Sequence, residues 1–123
     1  MANPATHVHL SIDYIELGAI DVAAAKAFYA GAFGWTFNEY GPDYAGILDG
    51  RAGGGEAGGL RKDANVTSGG PLVILYSKTL EKTRDAVKAH GGNLTKDIFS
   101  FPGGRRFQFT DPSGNELGVW SET

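Results

Sequence analysis

The sequence holds 123 residues with a formal charge of −3 and no cysteine. That length suits one domain with its own core, and the acidic balance leaves no basic face to follow nucleic acid or an anionic membrane. Lack of cysteine excludes disulfides, thiolate nucleophiles and zinc–sulfur sites; no apolar run nears the roughly 20 residues that span a bilayer, and Met1 to Thr6 carry no leader-like region, so a cytoplasmic setting is expected.

In chain order, Ile12 to Ala19 reads as a strand, with β-branched and aromatic residues in loose alternation. Asp21 follows as a helix N-cap. Val22, Ala25, Phe28, Tyr29, Ala32 and Phe33 recur at helical spacing, and Gly34 ends the helix. Trp35 to Tyr40 and Tyr44 to Leu48 read as strands joined at Gly41-Pro42, and Glu56 to Leu60 as a short strand after a glycine-rich loop. The order then repeats. Leu72 to Ser77 is an apolar strand, and Thr79 caps a helix over residues 80–90 that Gly91-Gly92 ends. Strands follow at Leu94 to Phe99, Arg105 to Thr110 and Glu116 to Trp120, separated by Pro102-Gly103-Gly104 and by Asp111-Pro112-Ser113-Gly114-Asn115.

The two halves keep a nearly fixed offset. Asp21 to Thr79 and Gly34 to Gly92 are 58 residues apart, while Pro42 to Pro102 and Gly58 to Gly118 are 60 apart. The expected architecture is α+β, one domain of two βαβββ modules at residues 10–60 and 71–121, with 61–70 as a polar bridge. Neither module alone would cover its sheet, so the two must share a core.

The stretch Asp21…Ala27-Phe28-Tyr29…Phe33-Gly34-Trp35, followed by Phe109-Thr110-Asp111-Pro112-Ser113-Gly114-Asn115, resembles the vicinal oxygen chelate superfamily of glyoxalases, bleomycin-resistance proteins and extradiol dioxygenases. The resemblance runs from about Tyr14 to Trp120. It implies two sheets curled into an incomplete barrel, helices outside, a small-molecule ligand in the concavity, and often a homodimer.

Metal-dependent members take His, Glu or Gln ligands from the first and last strands of each module. Aligned on the motifs, those positions are Tyr14, Gly58, Leu72 and Gly118. Three have no coordinating side chain, and Tyr14 would have to ligate as a phenolate, against an ordinary pKa near 10. No metal or other cofactor is therefore expected. His7 and His9 stand two apart and could chelate on an extended chain, but they read better as a polar terminal segment; His90 suits the last turn of its helix. Glu16, Glu56 and Glu116 each lie two residues from a ligand position and so share its face, at shifts that scatter rather than gather them.

Strand alternation puts Tyr14, Glu16, Gly58, Leu72, Ile74, Tyr76, Glu116, Gly118 and Trp120 toward the ligand. Arg106 and Gln108 join them. Ile15, Leu17, Val73, Leu75, Phe107, Phe109, Leu117 and Val119 then pack against the helices. Arg106 could hold a carboxylate or enolate through its planar fork, or pair with Glu16 or Glu116. Tyr14 and Trp120 offer flat apolar surface, and the loop at residues 50–55 would form a rim with Arg51 exposed. Three functions fit. One is a metal-independent small-molecule binding protein, drug sequestration included. Another is a glyoxalase-like lyase, isomerase or dioxygenase with an unusual or metal-free site, Glu16 serving as base beside Arg106. The third is an accessory protein whose homodimer binds another protein. The missing ligands favour the first.

Overall fold

A computed structural model describes residues 7–10 and 12–123, so the reading of Met1 to Thr6 lies outside it. The first module runs β1 (Ile15–Ala19), α1 (Val22–Phe33), β2 (Thr36–Glu39), β3 (Tyr44–Leu48) and β4 (Gly58–Lys62). The second runs β5 (Val73–Tyr76), α2 (Leu80–Ala89), β6 (Asn93–Phe101), β7 (Gly104–Thr110) and β8 (Glu116–Ser121). Each forms one four-stranded sheet, ordered β1-β4-β3-β2 and β5-β8-β7-β6. In both, the first and last strands run parallel and the rest pair antiparallel. The sheets do not close into a barrel. This is the expected α+β fold of two modules.

Local chemistry sets the helix ends. Asp21 accepts from the amide of Ala24 at 3.1 Å, satisfying one free donor of the first turn of α1. Gly34 ends that helix in the left-handed region, at φ 72°. Thr79 departs from expectation: it sits at the N-cap of α2, yet its side chain caps nothing. Ser77 does the local work, accepting from the Thr79 amide at 3.0 Å and meeting the Thr83 hydroxyl at 2.6 Å. His90 closes α2 by donating from Nδ1 to the carbonyl of Ala86 at 2.8 Å. Its ring lies against Gly31 of α1, where a Cβ would collide with it, so the two helices meet across this glycine.

One face of each sheet meets the helices in a shared core. Phe107, Phe109, Leu117 and Val119 of the second sheet and Ala19, Ala45 and Leu60 of the first have no exposed surface. Phe28, Tyr29, Phe33 and Trp35 carry α1 and its exit onto them, with Tyr29 and Trp35 stacked at 4.7 Å between centroids. The Asp111 turn ties the modules together. Its Oδ1 accepts from the amides of Ser113, Gly114 and Asn115, and its Oδ2 accepts from the buried Tyr29 hydroxyl at 2.7 Å. Asn115 then donates to the carbonyl of Gly18 at 2.7 Å, and the Ile20 amide donates to Ser113 at 2.9 Å. The stretch that reads in sequence as a turn is thus a clamp between α1, the end of β1 and the second sheet.

Candidate functional site

The sheet faces turned away from the helices hold most of the expected site residues, and they differ in chemistry. On the first sheet, Gly46 and Gly59 stand opposite each other on neighbouring strands. Neither has room for a Cβ, because the Glu56 carboxylate lies over Gly46 and the Tyr44 phenol over Gly59. That slot gathers a network. Glu56 accepts from Tyr14 at 2.9 Å, from Asn38 at 3.0 Å and from Tyr40. The Tyr44 hydroxyl lies 2.9 Å from that of Tyr14 and donates to Glu16 at 2.9 Å, while Arg61 pairs with Glu16 at 2.9 Å.

The network fixes charge states. The Tyr40 hydroxyl, helped by Asn38 and Tyr14, holds Glu56 below the usual carboxylate range. Desolvation, then the hydrogen bonds to Tyr44 and Glu56, push the Tyr14 phenol well above its usual range. Tyr14 therefore stays a neutral phenol, the form that ligates metals poorly.

Gly58 departs from its expected place. It pairs with Ile15 rather than lining up with Tyr14, and it faces the helix side, where a Cβ would strike the Ile15 carbonyl oxygen. Glu16 pairs with Gly59, so Gly59 is the residue that shares the face of Tyr14. Glu56 still reaches that face because it precedes β4, where strand alternation does not apply.

The second sheet follows the expected alternation. Ile74, Gly118 and Gln108 form one row across the face, and Tyr76, Trp120 and Arg106 the next. Leu72 stands half-buried just before β5. The hairpin that joins β6 to β7 adds residues the alternation reading missed, since Phe99 pairs with Arg106 and Phe101 with Gly104. The Arg106 guanidinium carbon lies 5.2 Å from the centroid of Phe99 and 5.8 Å from that of Phe101. Trp120 borders this group, 6.4 Å from Phe101 and 5.2 Å from Tyr76 between centroids. Pairing by register across the tight Pro102-Gly103 turn was the available signal.

Neither expected ion pair of Arg106 forms. Glu16 is engaged by Arg61, and Glu116 accepts from Thr95 at 2.6 Å and Gln108 at 3.1 Å. No hydrogen bond or ion pair joins Glu16 to Arg106 among the described residues. Those residues also bring no three His, Cys, Asp or Glu side chains together as a metal would require. Tyr14, Leu72 and Gly118 with Gly58 turned away do not fit the divalent ion of metal-dependent relatives. His7 instead binds Asp13 at 2.7 Å.

Between the first strands of the two modules lies a cleft of about 460 Å³, lined by Ile15, Leu17, Val73 and Leu75 and by Phe33 and Trp35 below. The first four were expected to pack against the helices, but the two sheet edges stand apart and leave them partly open. Arg51, bound to Asp49 at 2.9 Å, sits at the rim of this cleft and of a neighbouring hollow of about 260 Å³ beside Tyr14 and Glu56.

Similar folds are known. A glyoxalase-related enzyme from Fulvimarina pelagi superposes with a TM-score of 0.75 at 20% identity, over 91% of this chain and 88% of that one. A glyoxalase/bleomycin resistance protein/dioxygenase family enzyme from Burkholderia phytofirmans PsJN gives 0.74 at 18%, over 90% and 98%. TnmS3, an antibiotic binding protein from Streptomyces sp. CB03234, gives 0.70 at 18%, over 95% and 100%. No curated protein sequence matches the chain. No helix among the described residues is long and apolar enough to cross a membrane. The model of the Glyoxalase/Bleomycin resistance protein/Dioxygenase superfamily matches residues 11–119, and with the paired modules and the Asp111 turn in place, the chain belongs to that superfamily.

Proposed function

We propose that this protein binds a small organic molecule on the sheet faces turned away from its helices, without a divalent metal or other cofactor, and that it does so as a homodimer. The observation that carries this reading is the second sheet's outer face. Ile74 is 43% exposed and Tyr76 49%, with Trp120 beside them, while on the opposite face Leu117 and Val119 of β8 are fully buried and Val73 and Leu75 of β5 half-buried. Apolar surface held open next to polar groups is the composition of a ligand site. The antibiotic-binding description of TnmS3 gives a precedent for binding on this fold. Enzymatic chemistry has less support, because each carboxylate on these faces is already engaged by a donor and none stands free as a base. The edges support the homodimer: among the described residues β1 and β5 each pair on one side only, and open strand edges are surfaces that proteins cover.

A thermal-shift screen of flat organic compounds, with elemental analysis of the same preparation, tests the reading. Binders that stabilise a metal-free protein are expected. Stoichiometric metal that survives dialysis against chelator, with melting lowered by the chelator, would overturn the metal-free part. Light scattering at micromolar protein is expected to give twice the chain mass.

A further inference from the structure

Resting on the small-molecule reading above, we infer that the second sheet selects a flat, singly negative ligand, an aromatic carboxylate or an enolate, with Arg106 as its counter-charge. The first support is an inventory of arginines. The sequence has five, and Arg51, Arg61, Arg84 and Arg105 each pair with a carboxylate. Arg106 pairs with none among the described residues. Its neighbour in sequence, Arg105, points the other way and is used by Glu81 at 2.6 Å and the carbonyl of Thr123 at 2.8 Å.

The second support is how Arg106 is held. Phe99 and Phe101 flank the guanidinium within cation–π range. Its Nε is shielded from solvent with no acceptor, an unmet donor that a protein seldom leaves without a use. Among the described residues nothing hydrogen-bonds the two terminal nitrogens and only Nε is both buried and unmet, so the fork that matches a carboxylate is the part left open. Lys96, 5.8 Å from the Phe99 centroid, adds a second positive charge on the same side. The acids bordering this face are engaged: Glu116 by Thr95 and Gln108, Glu122 by the Tyr76 hydroxyl at 2.8 Å.

The third support is shape. Trp120 pairs with Arg106 across the strands and Tyr76 with Trp120, so flat rings lie directly beside the cation. Behind them the floor is low: Gly118 presents no side chain, and its Cβ position is flanked by Ile74 and Gln108 in ordinary contact, with the nearest atom at 3.5 Å. A planar ligand can stack on Trp120 while its anionic group meets the guanidinium. The first sheet offers no such cation, since Arg61 is held by Glu16 and Asp63 while Glu56 accepts only from Tyr14, Asn38 and Tyr40, so an anion is favoured on the second sheet.

The test compares three probes of one shape, 2-naphthoate, 2-naphthamide and 2-naphthylmethylammonium, titrated calorimetrically into the full chain. We expect naphthoate to bind at least tenfold more tightly than the amide, and the ammonium more weakly still. Arg106→Met should erase the acid-over-amide ratio, Arg106→Lys should keep part of it, and Phe99→Leu should weaken naphthoate with the melting temperature nearly unchanged. Equal binding of acid and amide, or an unchanged ratio in Arg106→Met, overturns the anion preference and leaves small-molecule binding intact. If none of the probes nor any compound of a wider screen binds the folded protein, both readings fall together.

Discussion

At the scale of single residues, Asp111 shows how one side chain can hold two modules. It is 3% exposed and serves three backbone amides, the Tyr29 hydroxyl and the Asn115 side chain. Removing it leaves buried donors unmet, each costing about 1–3 kcal/mol. Asp111→Ala should therefore destabilise by on the order of 3 kcal/mol or more in urea denaturation, while Tyr29→Phe, which removes one donor and leaves the turn whole, should cost about 1–2 kcal/mol. A loss for Asp111→Ala no larger than that for Tyr29→Phe would mean that the turn holds itself and the clamp is incidental. Residue-level legibility was uneven for a physical reason. Asp21 and Gly34 act through neighbours in sequence and could be read directly, whereas the Glu56 network joins residues 14, 38, 40 and 56, which only the paired strands bring together.

Among the elements, β8 carries the sharpest consequence of strand alternation. Leu117 and Val119 have no exposed surface, while Gly118 between them turns to the other face and is itself buried between the Ile74 and Gln108 side chains. Leu117→Asp puts a charge in the core and should cost more than about 4 kcal/mol, enough to prevent folding of a domain this size. Gly118→Trp must push Ile74 and Gln108 aside on the other face; it should fold, losing clearly less stability than Leu117→Asp, and should block ligands on the second sheet. Comparable destabilisation by the two changes would invert the assignment of faces. Alternation was legible along β5, β7 and β8 because those strands are regular. It failed at Gly58, which opens β4 paired with Ile15 and so faces away from Tyr14, whereas Glu56 reaches the expected face from the loop before β4, where the pleat does not apply. Phe99 and Phe101 went unnoticed because β6 carries register irregularities that disguise its period.

For the whole molecule, stability should fall toward acid in a way that can be assigned to particular groups. Six carboxylates are held below their ordinary range: Asp49 by Arg51, Glu56 by Tyr40, Asp63 by Arg61, Glu81 by Arg105, Asp97 by the Ile98 amide and Glu116 by Thr95. A carboxyl lowered on folding contributes stability that is present above its unfolded pKa and is lost as pH falls through the folded one. Glu81 marks the window, since Arg105 brings it from 4.5 to about 2. The urea midpoint should thus stay nearly level from about pH 7 to 5 and drop steeply between about pH 4.5 and 2. Glu81→Gln separates this pair from the other acids. Near neutral pH the variant should unfold at lower urea than the parent, and the gap should narrow through pH 4 and nearly close by pH 2, where the parent's folded-state carboxyl is half protonated. Because the pair is exposed, added salt should also shrink the gap. A gap that stays constant from pH 7 to 2 would show that Glu81 supports α2 through geometry alone, and that the acid limb belongs to the remaining carboxylates.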